Sequence, residues 1–119
     1  MENWLYFNNG TIDGTAGTEE SVCYPASRLL YMEMESATTI RLIFEVAGEA
    51  AVESSQTDYA IVTLTVTSGA HITVMKALAL LCQPGGSSKG FRVIADDENS
   101  VYAHSDITGV AALSAIDAT

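Results

Sequence analysis

A chain of 119 residues in which 48% are hydrophobic is long enough to bury one core and too apolar to be disordered. The 15 acidic and 5 basic residues give a formal charge of −10. Nucleic acid and anionic membrane surfaces are bound by clustered Lys and Arg, and here Arg28, Arg41, Lys76, Lys89 and Arg92 are scattered, so neither is expected as a partner.

The N-terminal Met1-Glu2-Asn3-Trp4 has no basic region followed by an apolar run and does not read as a signal peptide. Trp4–Phe7 is a β-prone run ended by the turn signal Asn8-Asn9-Gly10. Residues 10–21 read as a loop. Ser21–Pro25 reads as a short extended piece, and Pro25 assigns it to a sheet edge. Arg28–Glu35 alternates, with Leu30, Met32 and Met34 on one face and Leu29, Tyr31, Glu33 and Glu35 on the other. After a short Ser36-Ala37 link, Thr38–Val46 is the clearest strand. Ile40, Leu42, Phe44 and Val46 share one face, and Arg41, Ile43 and Glu45 the other. Residues 47–57 read as a solvated connection. Tyr59–Thr67 alternates again, with Ala60, Val62, Leu64 and Val66 opposite Tyr59, Ile61, Thr63 and Thr65.

One helix is expected at about 70–83, with Thr67 or Ser68 as N-cap and Pro84-Gly85-Gly86 as the stop. Its apolar sector covers about 220°, roughly twice what packing on one sheet requires, which predicts cover from more than one direction. Leu78 lies at the centre of that sector, and Leu80 lies beside Lys76 on the polar side. Phe91–Ala95 and Val101–Ala103 flank the acidic turn Asp96–Ser100. Ile107–Ile116 suits strand or helix, and its β-branched residues favour strand. No repeat or linker divides residues 1–119, so one domain is expected. Strands before and after one helix make it α+β, a mostly antiparallel sheet with the helix across one face, opposite Leu42, Phe44, Val62 and Leu64.

No arrangement of side chains carries a catalytic or metal-binding signature. The run Asp96-Asp97-Glu98-Asn99 lacks the alternate spacing of a calcium loop and reads as a solvated turn. His71, Cys82, Cys23 and His104 are zinc-ligand types, but no pair has the close spacing of a site; His71 and Cys82 stand about 16 Å apart along one helix. No G-x-S-x-G elbow is present. Pro84–Gly90 closes a helix, whereas a phosphate loop opens one. Cys23 and Cys82 read as free thiols, with a disulfide as the alternative. No metal, cofactor or catalytic residue is therefore assigned, and an enzyme is not expected.

Two stretches carry a resemblance: Thr18-Glu19-Glu20-Ser21-Val22-Cys23-Tyr24-Pro25, and the run Val93–Thr108 containing Asp96-Asp97-Glu98-Asn99 and His104-Ser105-Asp106. With the helix between them, they resemble small uncharacterised proteins encoded by marine tailed bacteriophages. The resemblance implies a phage-encoded virion structural or accessory component, made in the host cytoplasm and meeting other virion proteins. It supplies no active-site residues.

The pattern also predicts self-association. If Leu42, Phe44, Val62 and Leu64 face the helix, Tyr31, Ile43, Tyr59 and Ile61 face away, and Ile94 is expected with them. One helix cannot cover both faces, and monomers seldom leave a large contiguous apolar face in water. A homo-oligomer joined through this face is the expectation. The competing arrangement folds Trp4–Phe7 and Ile107–Ile116 over it within one chain. A small-molecule or peptide-binding module, and an enzyme of unknown type, stay open as other functions.

Overall fold

A computed structural model describes residues 3–10, 21–46, 58–83 and 90–116. The strands are β1 (Trp4–Asn8), β2 (Ser21–Pro25), β3 (Leu29–Ser36), β4 (Thr39–Val46), β5 (Asp58–Val66), β6 (Phe91–Asp96), β7 (Val101–Tyr102) and β8 (Ile107–Ile116). A short 3-10 turn, Ala26–Arg28, links β2 to β3, and the helix α1 spans His71–Cys82. The fold is α+β, and its strands are mostly antiparallel. The first loop (11–20), the 47–57 connection and the glycine-rich loop (84–89) lie outside the described residues.

The strands form two sheets rather than one, in the orders β2-β1-β6-β7 and β3-β4-β5-β8. The second follows the alternation closely. Ile40 pairs with Leu64, Leu42 with Val62 and Phe44 with Ala60, and all six are buried. The face they form meets the other sheet as well as the helix. Phe44 meets the Phe7 ring edge-on at 6.0 Å and stacks on Tyr24 at 4.7 Å. Leu5, Phe7, Ile94 and Ala95 enter the same core from the first sheet, and Val74 and Leu78 from the helix. Two sheets arise because β1 pairs antiparallel with β2 and parallel with the distant β6. That long-range pairing draws Trp4–Phe7 and residues 91–102 away from β3–β5. Pro25 ends an edge strand, as its missing N–H requires.

Three local features depart from the simple pattern. The register shifts between Leu29 and Tyr31, so Leu29 packs on the core while Leu30 is exposed, the reverse of strict alternation. The helix begins at His71 after the turn Thr67–Ala70, with Ala70 as N-cap and no side-chain cap. Gly69 at φ +81° makes that turn and separates Thr67 and Ser68 from the helix. Among the described residues, cover of the helix is one-sided. Val74 and Leu78 are buried and Met75, Leu81 and Cys82 pack on the core, but Ile72 and Leu80 are exposed.

At the other end of the helix, the buried Asn3 donates from Nδ2 to the carbonyls of Leu81 (2.9 Å) and Gln83 (2.7 Å). These carbonyls have no partner within the helix, so Asn3 satisfies them and fixes the helix to the start of β1. Gln83 is already extended at ψ 136°, as a residue preceding proline must be.

Candidate self-association face

The outer face of the β3-β4-β5-β8 sheet carries the apolar row expected from alternation. Tyr31 pairs with Ile43, Ile43 with Ile61, and Tyr59 with Glu45. Leu30, Tyr31, Ile43, Tyr59 and Ile61 line an open depression of about 250 Å³. Ile43 is its floor, 5% exposed, whereas Tyr31 and Leu30 are half exposed on its rim. The bulge in β3 turns Leu30 to this side, so a position with no sequence signal joins the site. The next row across the sheet is polar. Glu33 forms an ion pair with Arg41, and Arg41 pairs in register with Thr63. The apolar area therefore has a defined boundary along the strands.

Ile94 does not belong to this face. It sits in the other sheet, at a register shift between the pairs Tyr6–Val93 and Phe7–Ala95, and is fully buried in the core. Neither segment of the competing arrangement covers the face. Trp4–Phe7 sends Leu5 and Phe7 into the core on the opposite side of the sheet, and Ile107–Ile116 lies beside β5 as a neighbouring strand.

The depression has apolar walls and two phenols, those of Tyr31 and Tyr59, which suit a contact that buries a ring and keeps a polar tip hydrated. The titratable groups suited to chemistry lie elsewhere, and the two histidines have structural partners. His71 places Nε2 2.7 Å from the Ser36 carbonyl, which joins the helix start to the β3–β4 hairpin. His104 Nδ1 accepts from the Asp106 N–H at 3.0 Å within its own loop. Cys23 and Cys82 are free thiols. Burial pushes both thiols up, and for Cys82 the Arg92 guanidinium pulls the other way without reversing the shift. A raised thiol is a poor nucleophile at neutral pH. Among the described residues, no three His, Cys, Asp or Glu side chains converge on one point.

The acidic turn differs most from its reading as a solvated hairpin. Asp96 is buried, and its carboxylate accepts from the backbone N–H of Glu98 and Asn99 and from Asn99 Nδ2. Asp97 bridges the two sheets. Its Oδ1 accepts from the Tyr102 hydroxyl at 2.6 Å, its Oδ2 from the Val110 N–H at 3.0 Å, and its own N–H donates to the Asn8 carbonyl. Gly10, at φ +88°, passes so close that a Cβ there would lie 3.2 Å from the Asp97 Cβ.

The hydrogen bond to Asp97 holds the Tyr102 proton, and burial and the Asp96 charge add to it, so the phenol is pushed up to about 12 from 10.0. A raised folded-state value favours the folded state below pH ~10, and this contribution is lost as pH rises through about 12. Asp97→Ala is expected to cost roughly 1–3 kcal/mol by stranding the donors of Val110 and Tyr102. In the same variant, tyrosinate absorbance should show the Tyr102 phenol titrating lower than in the wild-type protein. Tyr102→Phe identifies the late-titrating phenol, and an unchanged titration in Asp97→Ala would disprove the bridge.

No helix among the described residues is long and apolar enough to cross a membrane. No protein-family model, curated protein or solved structure matches this chain.

Proposed function

We propose that this protein acts by self-association, as a structural or interaction component that assembles copies of itself, and that its setting is a phage particle. The outer depression lined by Leu30, Tyr31, Ile43, Tyr59 and Ile61 carries the self-association, and the phage setting rests on the resemblance of residues 18–25 and 93–108. It is apolar, aromatic at its rim and bounded by a polar row, the composition of an interface core. The small-ligand alternative has weaker support, because about 250 Å³ in an open depression falls below the ~300–1,000 Å³ of enclosing ligand pockets. The structural partners of His71 and His104 and the raised thiols favour assembly over catalysis.

A stable contact here should bury at least ~1,000 Å² in total. Ile61→Asp puts a carboxylate into that contact and is expected to lower the assembled mass, measured by light scattering, while far-UV circular dichroism stays unchanged. If wild type is monomeric at high micromolar concentration, or if Ile61→Asp keeps the wild-type mass, this reading fails.

A further inference from the structure

The four strands at the margins of the two sheets are protected unequally. β2 is five residues long and ends in Pro25, and β7 has only two residues. β3 carries Glu33 and Glu35 and shifts register near both ends. Shortness, proline, charge and bulges are the features that keep a sheet edge from pairing with another chain. β8 lacks three of the four. It has ten residues, none charged and none proline, in a chain whose formal charge is −10.

The fourth feature divides β8 into halves. Its first half shifts register at Thr108 and again at Ala111, and the Val110 N–H between them is taken by Asp97. That half is closed from within the molecule. Its second half, Ala112–Ile116, pairs with Tyr59–Thr63 without interruption. On its other side no strand is paired among the described residues. Alternate residues of such a margin turn their N–H and C=O groups outwards.

We propose that Ala112–Ile116 pairs antiparallel with the same segment of a second copy. A second copy is favoured because the segment complements itself. Antiparallel pairing over its full length sets Ser114 opposite Ser114 and Ala112 opposite Ile116, with no like charges facing. Acidic residues elsewhere on the surface would repel such a close approach, and this stretch has none. The contact is two-fold and self-complementary, with its axis normal to the sheet. It joins two β3-β4-β5-β8 sheets into one and leaves both outer depressions on the same side. The inference rests on the self-association reading but uses a different surface, so edges make the pair and faces stack the pairs.

Ser114→Lys and Ser114→Glu each set like charges opposite one another at the axis. Each variant alone is expected to halve the wild-type mass in light scattering, and an equimolar mixture of the two to restore it. The mixture also serves as the folding control, since misfolded chains would not recombine. Ile61→Asp reads the face separately and should leave a two-chain species that Ser114→Lys then dissociates. The edge pairing is overturned if both Ser114 variants keep the wild-type mass, or if their mixture does not recover it. A wild-type chain that stays monomeric at high micromolar concentration also overturns it and leaves the edge to a different protein. If the Ser114 variants are unaffected while Ile61→Asp alone yields monomer, the face reading stands without the edge.

Discussion

Phe44→Ala should destabilise the protein by roughly 3–5 kcal/mol, the range for removing a buried aromatic side chain and leaving a cavity. Phe44 is the point where the two sheets meet: its ring touches Phe7 of β1 and Tyr24 of β2 and belongs to the core that takes in the helix. Small domains have only about 5–15 kcal/mol of total stability, so the variant should be partly unfolded at modest urea. Urea melts followed by near- and far-UV circular dichroism measure this. A loss below ~1 kcal/mol, the scale of a surface substitution, would mean that the sheets do not pack through this ring.

Leu78→Ala is expected to cost roughly 2–5 kcal/mol and Leu80→Ala well under 1 kcal/mol, although both remove the same atoms from one helix. Leu78 is 1% exposed and Leu80 is 65% exposed. The two variants therefore isolate burial from helix propensity, which changes equally in both. Equal shifts in urea midpoint would contradict the orientation of the helix. A larger loss at Leu80 would place another surface over the outer side of the helix.

Much of the fold is legible because β4 and β5 are governed by local alternation. Ile40, Leu42 and Phe44, and Ala60, Val62 and Leu64, lie on the side that period two assigns to them. The outer row Tyr31, Ile43 and Ile61 follows from the same rule. Leu78 and Leu80 follow from the period of the helix.

What escaped the sequence depends on partners distant along the chain. Leu30 turns outwards because β3 bulges against β4, and nothing in Leu29-Leu30-Tyr31 distinguishes its middle residue. Ile94 enters the core because β6 pairs with β1, a choice made between opposite ends of the chain. Asp97 has the composition of a turn, and its second role comes from β8 passing its carboxylate. Asn3 reads as an ordinary polar residue until the end of the helix comes within reach of its amide.

The parallel pairing of β1 with β6 also sets an order of events during synthesis. Partners such as Trp4 and Phe91 lie most of the chain apart, so β1 emerges long before the strand that flanks it. At translation rates of about 5–20 residues per second, that interval is roughly 5–20 s. β3, β4 and β5 can pair with one another as they appear, because they are consecutive neighbours in their sheet. Leu5 and Phe7 must meanwhile wait on a two-stranded hairpin, a unit that is marginal by itself in water. Arrest of the nascent chain after β5 should therefore leave a protease-sensitive N-terminus beside a protected β3–β5 unit. Protection of Trp4–Asn8 should appear only once Phe91–Asp96 has been made.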